Sequence, residues 1–203
     1  AVSPNDTLNI KVINDDNLFY QHNLRRSSSH EVVVIDGEEK KYSTNVHLKV
    51  KESDTNDTYV IVRKESEGRR RITANNNAES LQYNYTVSGT EIVLDAYYIS
   101  DYKNMHKNER ITVTIYTPVE TTVFFSKSTK YFISNIENTE DLYDRDMANQ
   151  HFLMTDDGLS CTDCKKDIEE NEDEDNTKKR NNSNTEKKDL KIKADEDGVI
   201  IDF

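Results

Sequence analysis

Residues 81–95 read Leu81-Gln82-Tyr83-Asn84-Tyr85-Thr86-Val87-Ser88-Gly89-Thr90-Glu91-Ile92-Val93-Leu94-Asp95. Leu81, Tyr83, Tyr85 and Val87 alternate with Gln82, Asn84 and Thr86. A period of two belongs to a strand with one buried and one wet face, and aromatic and β-branched residues favour that pleated surface. Ser88-Gly89 between two such runs predicts a tight primed turn, and so a hairpin.

The same period extends in both directions. Leu8, Ile10 and Val12 alternate with Asn9 and Lys11; Val46, Leu48 and Val50 with His47 and Lys49; Ile111, Val113 and Ile115 with Thr112 and Thr114. Three runs are apolar at both parities and read as inner strands: Val32–Ile35, Tyr59–Val62 and Ile92–Ile99. Pro118 ends the strand before it, because it cannot donate to a ladder. Val123–Phe125, Tyr131–Ile133 and Phe152–Met154 read as shorter strands. Only Ala74–Ser80 hints at helix, one or two turns weakened by three asparagines. The fold class is all-β.

Composition divides the chain. Residues 1–164 carry the apolar side chains of a core. Residues 165–189 form a charged low-complexity linker, with six acids in the seven positions of Glu169–Asp175. Residues 190–203 read as a C-terminal β-hairpin turning at Asp195–Gly198, expected to pack back on the domain. Asp195-Glu196-Asp197-Gly198 resembles the start of a calcium loop, but its glycine comes at the fourth position instead of the sixth and no glutamate follows at the twelfth. A turn is the simpler reading, and no metal or cofactor is expected.

A formal net charge of -12 opposes nucleic-acid binding, which depends on neutralising phosphates. Arg69-Arg70-Arg71, with Arg63 and Lys64, reads as a solvated basic spot. The chain lacks an apolar run long enough to span a bilayer and shows no leader pattern at its first residue. No catalytic constellation stands out: there is no nucleophile elbow, Gly-rich phosphate loop or zinc-protease helix motif.

The centre of the chain resembles a known family. Its marks are a Tyr-x-Tyr strand (Tyr83, Tyr85), an L-D-x-Y strand (Leu94, Asp95, Tyr97) and a V-x-I-Y-x-P strand (Val113, Ile115, Tyr116, Pro118). They occur in the order found in the C-terminal extension of Bacteroidetes proteins with a phage-shock-protein C (PspC) domain. Asp6–Val12, Tyr42–Val50 and Gly158–Cys164 are also similar. The resemblance implies the toast-rack group, related to putative auto-transporter adhesin-like domains: a single-stranded, right-handed β-helix-like stack of short strands. It further implies a non-catalytic interaction or scaffold domain, the soluble part of a membrane-anchored envelope-stress protein. Attachment would be through a segment absent from this chain, with the domain extracytoplasmic (periplasmic) and contacting a protein partner or a second copy. The alternative is a surface adhesin or glycan-binding module using Tyr83, Tyr85 and Tyr97 as its face, although a tyrosine ladder also serves packing.

Cys161 and Cys164 are the only cysteines. As C-x-x-C they could be half a zinc site, a redox dithiol or a local disulfide. Zinc needs two more ligands, and the histidines are scattered without ligand spacing. A reactive dithiol needs a helix N-terminus, whereas Asp163 between the cysteines disfavours a thiolate. A disulfide staple is the expectation in an oxidising compartment.

Overall fold

The computed structural model describes residues 6–14, 30–104 and 107–164, together with the backbone of 193–195 and 198–200. The chain forms two units, residues 1–166 and 167–203. Charged residues 165–189, expected to be a linker, lie outside the described residues. In the second unit, Lys193–Asp195 (β13) and Gly198–Ile200 (β14) pair antiparallel, Asp195 opposite Gly198.

The first unit is built of strands. They are Leu8–Ile13 (β1), Glu31–Ile35 (β2), Glu38–Ser43 (β3), Val46–Glu52 (β4), Tyr59–Glu65 (β5) and Tyr85–Ser88 (β6). Then follow Glu91–Asp95 (β7), Tyr98–Asp101 (β8), Arg110–Thr117 (β9), Thr122–Phe125 (β10), His151–Thr155 (β11) and Gly158–Cys161 (β12). One six-stranded sheet runs β12-β11-β10-β1-β7-β6, and two three-stranded sheets run β4-β9-β5 and β2-β3-β8. Strands distant in sequence stack in parallel at β1–β7, β1–β10 and β4–β9. The other strand pairs of this unit are antiparallel: β2–β3, β6–β7 and β11–β12 are hairpins closed by short turns, whereas β3–β8, β5–β9 and β10–β11 join strands distant in sequence.

Alternation places the core. Leu8, Ile10 and Val12 of β1, Ile92 and Leu94 of β7, and Val123 and Phe125 of β10 point inward. They meet Val46, Leu48 and Val50 of β4 and Ile111, Val113 and Ile115 of β9 in one cluster. The six-stranded sheet and β4-β9-β5 therefore cover each other. Each such side chain stabilises by about 1.5–3 kcal/mol on burial. A smaller cluster of Val33, Tyr42 and Ile99 belongs to β2-β3-β8.

The opening stretch departs from its simple reading. Leu81 and Tyr83 are buried, but Tyr85 and Val87 are exposed, at 41% and 54%. The alternating run is shared between two sheets. Gln82 exchanges backbone bonds with Ile99 of β8 (2.8 and 2.9 Å), and then from Tyr85 the chain pairs with β7 instead. β6 is thus an edge strand, and among the described residues no layer covers its apolar side. A tight turn forms one residue later than read: Ser88 belongs to β6 and lies opposite Glu91, so the two-residue link is Gly89-Thr90, and Gly89 has φ +58°, where a primed turn requires glycine.

Two runs expected to be inner strands are edges. Val32 and Val34 of β2 are 43% and 54% exposed, and Ile61 of β5 is 48% exposed, because each strand closes one side of its sheet. Ile92–Ile99 divides into β7 and β8 on either side of Ala96-Tyr97. Tyr131–Ile133 is not a strand but a segment bonded to the open side of β4, where Phe132 O accepts from Leu48 N at 2.7 Å. The helix, α1 (Arg71–Glu79), starts three residues before the expected one and buries no residue. Asn77 Nδ2 donating to Glu67 O (2.9 Å) helps tie it to the preceding loop.

Candidate interaction surfaces and the disulfide corner

β12 ends the six-stranded sheet, and its last residue, Cys161, is joined to Cys164 by a disulfide with Cα atoms 5.7 Å apart. Local backbone geometry brings the two together. The loop they enclose folds over the start of β11: Thr162 N and Oγ1 both donate to His151 O, at 2.9 and 3.1 Å. Asp163 completes the clasp. Its Oδ1 accepts from His151 N at 2.8 Å, and its Oδ2 meets His151 Nδ1 at 2.6 Å. The His151 ring lies 4.5 Å from that of Phe124 on β10. On the other side, Glu140 accepts from Cys161 N (2.9 Å) and Ser160 Oγ (3.0 Å). Closing so short a loop is worth about 2 kcal/mol on the chain-entropy model. Reduction, or Cys161→Ser, is expected to lower unfolding free energy by about that much in denaturant titration, leaving the folded spectrum unchanged.

Both carboxylates sit below the ordinary range. Partial burial opposes ionisation of Asp163, but the His151 amide and ring outweigh it. For Glu140 burial is likewise outweighed, here by the Cys161 amide and the Thr139 and Ser160 hydroxyls. A carboxyl whose folded pKa is depressed contributes stability above its unfolded value, about 4, and loses it as pH falls through the folded value. Asp163→Asn is therefore expected to flatten the acid limb of a melting-temperature profile below about pH 4.

Gly158 fixes the other end of β12. Its φ is +108°, and a Cβ there would lie 2.8 Å from Glu137 O, the atom that accepts from Leu159 N at 3.0 Å. Only glycine lets the two backbones approach so closely.

The three tyrosines proposed as a binding face are not brought together. Tyr83 is 9% exposed and lies in the main core. Its hydroxyl finds no hydrogen-bond partner among the described residues, and burial, with the Asp95 charge nearby, pushes its pKa up. Tyr97 is half-buried, stacked on Tyr42 with ring centroids 4.8 Å apart. Tyr85 alone is exposed. The face divides because Tyr83 and Tyr85 fall on either side of the sheet crossover at Asn84.

What surrounds Tyr85 is an open groove. Tyr59 and Val60 of β5 and Tyr85 and Val87 of β6 line it, with Leu8 and Ile92 at its floor. β5 and β6 are the edge strands of the two sheets that enclose the core. Here the layers gape, leaving apolar side chains beside strand edges that pair with no other strand among the described residues.

A buried ionic site was not apparent from the sequence. Lys41 and Glu109 are 3% and 2% exposed, and Nζ lies 3.1 Å from Oε2. Ser100 Oγ donates to the same oxygen at 2.7 Å, and Lys41 Nζ also reaches Lys107 O at 3.2 Å. Tyr98 OH donates to Glu109 O at 2.8 Å, and burial pushes its pKa up to about 12. The cluster ties β3, β8 and the start of β9 together, a structural task. Among the described residues no group of three or more His, Cys, Asp and Glu is placed to hold a metal ion. Nor, among them, is any helix long and apolar enough to cross a membrane.

Residues 34–167 match the family model described as the ToastRack found in some PspC. The chain belongs to this family of toast-rack domains, a PspC-associated and non-enzymatic domain type. No curated protein and no solved structure matches it. The matched residues begin after β1, yet β1 pairs with both β7 and β10 at the middle of the larger sheet, so the folded unit extends beyond them.

Proposed function

We propose that this chain is a non-catalytic interaction domain, the part outside the bilayer of a membrane-anchored envelope-stress protein, and that it works by lending strand edges to a partner. One observation carries the reading: the sheets that enclose the core end, on the same side, in β5 and β6, whose exposed apolar residues flank a groove. Sheet edges in soluble domains are ordinarily blunted by charge, proline or a covering segment. Among the described residues the apolar side of β6, Tyr85 and Val87, has none of these, and an added strand would pair with its outer edge and cover that side. Membership of a family found in PspC proteins supports membrane association, and the disulfide favours an oxidising, extracytoplasmic compartment. The partner is a second copy or another envelope protein.

Val87→Lys tests the reading, since a charge on the edge blocks strand addition without touching the core. Sedimentation of the chain at micromolar concentration, and co-purification from envelope extracts, should show self-association or a bound protein that the variant loses. A chain that stays monomeric and retains no envelope protein contradicts it.

A further inference from the structure

The outward face of β4-β9-β5 is basic in a chain whose net charge is -12. β4 presents His47, Lys49 and Lys51, β9 presents Arg110, Thr112, Thr114 and Tyr116, and β5 presents Tyr59, Ile61, Arg63 and Glu65. The register orders them in rows. Lys51, Tyr116 and Tyr59 form one row; Lys49, Thr114 and Ile61 the next; His47, Thr112 and Arg63 the third; and Arg110 with Glu65 the last. Hydroxyl side chains thus run down the middle, with Lys49 and Lys51 on the β4 flank, Arg63 on the β5 flank and Arg110 at the end of β9 itself. Ser134 and Asn135 help to wall a groove of about 620 Å³ over this face. Glu65 is the one acid among its lining residues, and Arg63 holds it at 3.2 Å. Lys49 and Lys51 also border a neighbouring hollow containing Glu52, Glu137 and Asp156. Burial, with Arg110 and Lys49 nearby, holds the His47 imidazole below its ordinary pKa, and Asn45 Oδ1 lies 2.9 Å from its Nε2. The charge at neutral pH therefore comes from Lys49, Lys51, Arg63 and Arg110.

We propose that this groove binds an extended acidic segment of a partner protein, with carboxylates at alternate positions lying along β9. Period and shape favour that occupant. Side chains on one face of a strand repeat every two residues, roughly 6.7 Å, and so do the carboxylates of an extended chain with acids at every second position. Each acid then faces one row of the sheet, with Thr112 and Thr114 hydroxyls free to donate between cations. The stacked Tyr59–Tyr116 pair (centroids 4.8 Å apart) and exposed Ile61 seat apolar residues at one end. Ser134 and Asn135 line the groove beside β4, and the vesicle arm of the test separates a membrane surface from a chain. A nucleic acid would bring a longer run of negative charge against a chain of net charge -12 than a few carboxylates do.

The proposal rests on the interaction-domain reading but names a chemistry and a face that shares only Tyr59 with the edge groove, so the two can fail separately. The test is fluorescence anisotropy on the full chain with a labelled peptide alternating Glu and Thr. Comparison probes are the same composition with its glutamates in one block, the Gln-for-Glu analogue, and phosphatidylglycerol vesicles. The alternating peptide should bind, at least about tenfold more tightly than the block peptide, and weaken as salt rises from about 0.05 to 0.5 M. Lys49→Glu with Arg110→Glu should weaken it by about tenfold or more. Both side chains lie on the wet face, and an unchanged melting temperature would show that the fold is intact. Equal affinity for alternating and block peptides, binding that survives the double reversal, or binding to vesicles alone overturns the proposal. Val87→Lys should leave peptide binding unchanged, whichever way the edge experiment falls.

Discussion

Lys41→Met is expected to destabilise the domain by about 3–5 kcal/mol, the usual result of leaving one member of a buried ion pair uncompensated. The variant keeps the length of the side chain but removes the ammonium that lies 3.1 Å from Glu109 Oε2. The Glu109 carboxylate would be left with the Ser100 hydroxyl on one oxygen, and among the described residues its Oε1 already has no hydrogen-bond partner. Lys41 also bridges the carbonyls of Asn104 and Lys107, so the turn before β9 loosens with it. The double variant Lys41→Met/Glu109→Leu should recover much of the loss, since removing both charges removes the desolvation cost as well. Urea titrations of the two variants measure this directly. A single variant as stable as the parent would mean that the pair is hydrated in solution.

Phe152→Ala is expected to cost about 3–5 kcal/mol, the range for truncating a fully buried aromatic. Phe152 is 0% exposed on β11, opposite Val123 of β10 and Cys161 of β12, with its ring edge-on to Phe125 at 5.6 Å. The cavity would open where the hairpin β11-β12 joins the rest of the sheet. Hydrogen exchange should therefore rise first at the amides of Phe152–Met154, while β4 and β9 stay protected until global unfolding. Phe152→Leu, which fills most of the volume, should cost less than half as much.

Alternation made much of the core legible. In β1, β4 and β9 the residues that alternate in sequence also alternate in burial, because each strand has one covered and one open face along its whole length. The same rule misplaced Tyr85 and Val87. Period alone does not reveal where a chain leaves one sheet and enters another, and here it does so at Asn84. β2 and β5 looked internal because edges and inner strands use the same β-branched residues; what distinguishes them is a neighbour that belongs to another part of the chain. Glu38-Glu39-Lys40-Lys41 reads as wholly wet. Lys41 is buried because β3 pairs with β8 beside Glu109, 68 residues away in sequence. The disulfide was legible because its partners are three residues apart, whereas the His151–Asp163 clasp depends on a hairpin. The basic face is visible in retrospect as the wet parity of β4, with Arg63 and Arg110 brought in by register.

The most direct test of the interaction-domain account is photo-crosslinking in cells. A photoreactive amino acid would replace Tyr85, at the rim of the groove between β5 and β6, or Tyr143, which is 81% exposed elsewhere on the same unit. The account predicts a discrete adduct from position 85, to a second copy or to another envelope protein, and none from position 143. Adducts from position 143 alone, or from neither, would contradict it.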